Sequence, residues 1–151
     1  MTLDALLAYA HYAAILTMVV FIASQAALCR SEWLNAAAVP RLQRLNTIYL
    51  AAALLVLATG LARAQWGIKG PAWTWVQPML HLKLVLFAVM LLMAVKPARL
   101  YARWRERLAA DGSLPPESEV RAARRAVMIG SHLMLAIPLA AVLLARGLFA
   151  R

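Results

Sequence analysis

Four stretches of the chain, at about 5–28, 45–64, 76–95 and 126–144, are long, apolar and free of aspartate and glutamate. Each is near the roughly 20 residues that a helix needs to cross the hydrocarbon of a bilayer. A backbone in lipid must satisfy its own polar groups, which a helix does within one segment. The pattern predicts an all-α integral membrane protein, a four-helix bundle running up and down. The 151 residues form one transmembrane domain in this reading, with a long loop at 96–125.

Composition agrees. The chain is 64% hydrophobic and 15% charged, against about 45–50% and about a quarter for soluble domains. A water-soluble enzyme and a disordered chain are both excluded. Cys29 is the only cysteine, so a disulfide scaffold goes too. The first run has no basic segment before it and is too long for a signal peptide, so it reads as a mature helix.

The net charge of +10 would point to nucleic acid in a soluble protein. Here the cations flank the apolar runs, as membrane topology demands, and nucleic acid is not an expected partner. Arg30, Arg41, Arg44, Lys96, Arg99, Arg103, Arg105, Arg107, Arg121, Arg124 and Arg125 share one side of a four-span layout. Arg63, Lys69, Arg146 and Arg151 lie on the other, and Lys83 lies inside the third run. The positive-inside rule then puts both termini on the outer, periplasmic side of a bacterial inner membrane.

The loop at 96–125 reads as two pieces. Arg99 to Arg107 continues the third helix, Pro115 and Pro116 break it, and Ser118 is the expected cap of the helix that enters the fourth run. The arginines and Trp104 suit contact with lipid phosphates. Trp66, Trp73 and Trp75 in the opposite loop are placed for the bilayer interface.

Ionisable groups inside spans are costly and therefore functional candidates. They are His11, His81, Lys83 and His132, accompanied by Gln25, Asn46, Tyr12 and Tyr49. His11, Ile15, Met18, Ile22 and Gln25 recur on one helical stripe, which should face the bundle interior. Asn46, Tyr49, Ala53 and Gly60 share a face of the second helix, where Ala53 and Gly60 permit close approach. Lys83, Met90, Ala94 and Pro97 share one on the third, whereas His81 points about 200° away from Lys83. At 1.5 Å per residue, His11, His81 and Lys83 sit in one layer, roughly 8–11 Å from the outer helix ends. Imidazoles on facing helices are a common way to hold haem iron, and a lysine in the same layer suits a propionate or another carboxylate. Copper competes, with His11 and His81 as ligands and Met18, Met79 and Met90 as soft donors.

Leu7-Ala-Tyr-Ala-His11, the stretch from Tyr49 to Arg63, the stretch from Gly67 through Gly70, Leu82-Lys-Leu-Val-Leu-Phe87 and the run from Pro97 to Trp104 carry a resemblance. The chain resembles a family of four-helix bacterial inner-membrane proteins of unknown function. More distantly it is similar to HemJ-type protoporphyrinogen oxidases and CopD-like copper-resistance membrane domains, which place a histidine early in the first helix and a lysine early in a later one. The resemblance implies His11 as haem ligand or catalytic histidine, Lys83 as partner of an anion, and Arg63 as part of the same site. The chain departs from the family pattern at Gln25 and Asn46, where acids are expected, and at His81, where an aromatic is expected.

The leading expectation is thus a protein that binds haem b or a related tetrapyrrole for electron transfer or tetrapyrrole oxidation. His11 is one axial ligand, His81 or His132 the second, and Lys83 and Arg63 hold carboxylates, with a quinone or a tetrapyrrole as partner. Its rival is a cofactor-free accessory bundle, packing as a homo-oligomer or as a subunit of a larger membrane complex. Copper or small-solute transport comes third, weakened by the lack of buried acids and of an inverted repeat.

Overall fold

The computed structural model describes residues 2–146; Met1 and residues 147–151, with Arg151 among them, lie outside the described residues. The elements are α1 (Thr2–Leu28), α2 (Ala38–Trp66), α3 (Pro71–Thr74), α4 (Pro78–Asp111) and α5 (Glu117–Ala145). No strand occurs among the described residues, and α1, α2, α4 and α5 are each long and apolar enough to cross a membrane. The protein is a multi-pass, all-α membrane protein. The chain runs up and down, so the segments 29–37 and 112–116 share one end, here the arginine-rich end. The α2–α4 connection lies at the other, here the His11 end.

The helices outrun their apolar stretches. At 1.5 Å per residue the 34 residues of α4 span about 51 Å, against about 30 Å of hydrocarbon. Its C-terminal part, with the N-terminal parts of α2 and α5, therefore projects past the hydrocarbon at the arginine-rich end. Local chemistry sets the boundaries. Pro78 opens α4 at a position where its missing N–H costs nothing. Gly112, at φ 71°, closes α4 in the left-handed conformation, and its N–H donates to the Leu108 carbonyl at 3.1 Å. Ser118 does not cap α5. The helix starts one residue earlier, at Glu117, and the Pro116 carbonyl accepts from the N–H groups of Glu119 and Val120. Glu117 and Glu119 then lie in the first turn, where the helix dipole favours negative charge.

In cross-section α1 packs beside α2 and α5, and α4 beside the same two, which leaves α1 and α4 diagonal. Two cores fill the bundle. The membrane core joins Met18 and Ile22 of α1, Tyr49, Ala53 and Val56 of α2, Phe87, Met90 and Ala94 of α4, and Val127 and Met134 of α5. Its alanines let backbones approach, as helix packing in lipid requires. The second core, at the arginine-rich end, joins Cys29, Val39, Leu42, Leu100, Tyr101, Trp104, Val120 and Ala123. Trp104 is fully buried there, and its indole Nε1–H donates to Glu119 Oε2 at 2.6 Å. Arg107 reaches the other oxygen of the same carboxylate at 3.4 Å. The Cys29 thiol is sealed among these side chains and donates to the Val120 carbonyl at 3.9 Å. Burial pushes its pKa up, which makes it an inert structural thiol.

Candidate functional site

The stripe expected on α1 faces inward. Met18, Ile22 and Gln25 are buried, and His11 is half-buried at the end of the row. Gly60 of α2 makes room for the His11 ring: a Cβ there would lie 3.1 Å from Cε1. The ring is also oriented. Thr59 Oγ1 lies 2.9 Å from His11 Nδ1 and 2.7 Å from the Leu55 carbonyl. A hydroxyl has one proton: given to the Leu55 carbonyl, it leaves Thr59 Oγ1 to accept from His11 Nδ1. In that arrangement Nδ1 carries the imidazole proton, and Nε2 is left with a lone pair. This is the arrangement in which a ligating or basic histidine is held by a second group.

Two cations share this region. Arg63, one turn beyond Thr59 on α2, and Lys83, on the diagonal helix α4, both lie within electrostatic reach of His11, and Arg63 of Lys83. Arg63 is half-buried, its guanidinium sits 5.8 Å from the centre of the Tyr12 ring, and its Nε is buried without a hydrogen-bond partner. Neither cation forms an ion pair among the described residues. Asp4, the acid at this end of the chain, lies near Gly67 and pairs with neither. Three basic groups from three helices thus lie within one another's electrostatic reach with no ion pair among the described residues, an arrangement that favours an anion.

The structure does not bring the other two histidines to this place. His81 is exposed, and its Nδ1–H donates to the Gln77 carbonyl at 3.0 Å, four residues back on α4. His132 is exposed as well and donates to the Met128 carbonyl at 2.6 Å. The buried face of α5 is instead Val120, Ala123, Val127 and Met134. Among the described residues no three of His, Cys, Asp and Glu gather as a metal site. Met18 and Met90 are packing residues of the membrane core. The residue that sequence reasoning passed over is Thr59. Its signal was its position one turn before Arg63, which puts a hydroxyl and a guanidinium on the same helix face.

Fold and site together define a four-span membrane protein with a histidine and two uncompensated cations at one end of its bundle. A family described as a predicted membrane protein (DUF2214) matches residues 3–148, and the chain belongs to that family. No curated protein and no solved structure matches the chain.

Proposed function

We propose that the His11 end binds an amphipathic anion from the membrane, with haem b or another carboxylate-bearing tetrapyrrole as the ligand. The observation that carries the reading is the His11 ring, held by Thr59 and seated on Gly60, beside two unpaired cations. In this reading His11 Nε2 is the axial ligand or proton acceptor, and Arg63 and Lys83 hold the carboxylates as charge-assisted partners. The donor set fits one axial position and not two, because His81 and His132 are engaged on the outside of their own helices. A bound haem would supply one-electron chemistry, and a single histidine ligand favours tetrapyrrole oxidation over a closed, two-histidine electron carrier. A membrane quinone is the matching electron acceptor. The basic asymmetry of the connections supports a His11 end at the outer face of a bacterial inner membrane.

The outward placement of His81 and His132 also favours a second reading, a cofactor-free accessory bundle acting as a homo-oligomer or as a subunit of a larger complex. Absorption spectra of the protein purified in mild detergent, air-oxidised and dithionite-reduced, separate the two. The expected result is a Soret band with sharp reduced α and β bands, lost in His11→Ala and weakened in Arg63→Ala and Lys83→Ala. A wild type that stays colourless after haem supplementation overturns the haem reading, and copper found by metal analysis replaces the ligand.

A further inference from the structure

A second polar station lies deeper in the bundle and is independent of the His11 site. Gln25 of α1 is 1% exposed, and its Nε2 has no hydrogen-bond partner. It lines a narrow cavity with Asn46 and Tyr49 of α2, Met93 and Pro97 of α4, and Gly130 of α5. Asn46 and Tyr49 are 5% and 2% exposed. A buried amide donor left unpaired is costly, and in native interiors such groups find partners in ordered water.

The opposite wall supplies the complement. Pro97 sits inside α4 and has no N–H, so the Met93 carbonyl lacks the helical donor it would otherwise receive. A residue with an orphan donor and one whose carbonyl has lost its helical donor thus line one cavity from two diagonal helices. The space is about 10 Å³ for the centre of a water-sized sphere, the room that one water molecule takes up. Gly130 lines the same cavity, and a Cβ added there would sit 3.5 Å from Ile22 Cδ1. Room on that scale suits a water molecule rather than a macrocycle or a quinone ring. An unpaired Nε2–H donor selects a ligand that can accept, and the carbonyl one that can donate. Water does both.

We propose that Gln25, Asn46, Tyr49 and the Met93 carbonyl form a binding site for a single water molecule, which links α1 to α4 across the bundle. Met18, Val56 and Phe87 belong to the apolar layer between this station and His11, so the site is a polar tie between helices and not a continuation of the His11 site.

The test is water-selective magnetisation transfer on protein labelled with ¹⁵N-glutamine in lipid nanodiscs, with the Gln25 side-chain signal identified by its loss in Gln25→Leu. The expected result is transfer from water to the Gln25 amide, alongside that to exposed Gln65, and its reduction in Pro97→Ala, which returns an N–H to the Met93 carbonyl. A dry Gln25 amide beside a wet Gln65 overturns the site. Unchanged transfer in Pro97→Ala overturns the assignment of the acceptor. A rise in melting temperature in sodium chloride over choline chloride, abolished in Gln25→Leu, replaces the water by a monovalent cation.

Discussion

At the arginine-rich end two of the eleven cations, Arg107 and Arg121, have glutamate oxygens at 3.4 and 2.6 Å. At the His11 end Arg63 and Lys83 have none among the described residues. The first end is closed by a fully buried tryptophan bonded to Glu119. The second carries exposed Tyr9, Tyr12, Trp66 and Ile68 and only the single turn of α3. The same four helices therefore build two kinds of terminus. Where an aromatic core and the Glu119 carboxylate close the end, packing makes it a structural collar, whose surplus arginines face the lipid-phosphate layer. Where charge is uncompensated and partly desolvated, the deficit is met by solvent, by lipid headgroups or by a bound anion.

The collar is the part that mutation should damage most. Trp104→Ala removes a fully buried indole and should cost about 3–5 kcal/mol in reversible unfolding. Trp66→Ala, at a side chain 65% exposed, should change little. Equal effects at the two tryptophans would erase the contrast between the ends. Glu119→Leu leaves the Trp104 N–H buried and unpaired and should cost about 1–3 kcal/mol, whereas Glu119→Gln keeps an acceptor and should lose less. The same unfolding assay reads both.

The His11 end should respond in binding more than in stability. Thr59→Val removes the acceptor that fixes the His11 proton, and should weaken a His11-dependent ligand by about 10–100-fold. Titration of apo-protein with haem, read by absorbance, checks it. Gly60→Ala pushes a methyl against the His11 ring and should lower affinity in the same assay without unfolding the protein. The smallest effect belongs to Glu117→Gln. It breaks the pair with Arg121, whose two side chains are 64% and 62% exposed, and such pairs contribute about 0–1 kcal/mol. A larger loss there would show that the collar depends on its surface charges as well as on its packing.

Much of this was legible in the sequence. The Gln25–Met18–His11 stripe was readable because helical periodicity fixes which residues share a face, and the inward polar residues stand out in an apolar run. The extension of α4 past the bilayer was visible in the tract from Arg99 to Arg107. The cap of α5 was not, because Pro116 offers its backbone carbonyl to the first turn and no side-chain signature marks that. Nor was the exclusion of His132, since its wheel position could face either way until Val127 and Met134 were seen to fill the core.

The sequence by itself determined four spanning helices, because runs of about 20 apolar residues have one low-energy state in lipid. It also determined the uneven charge of the two ends, because the number and place of arginines are properties of the chain. Tertiary structure decided which of three histidines turns into the bundle. Helix rotation follows from how Gly60, Ala53 and Ala94 let neighbours approach, and no single helix carries that information. It decided the seating of the His11 ring as well, since that ring is held by Thr59, 48 residues away in the chain.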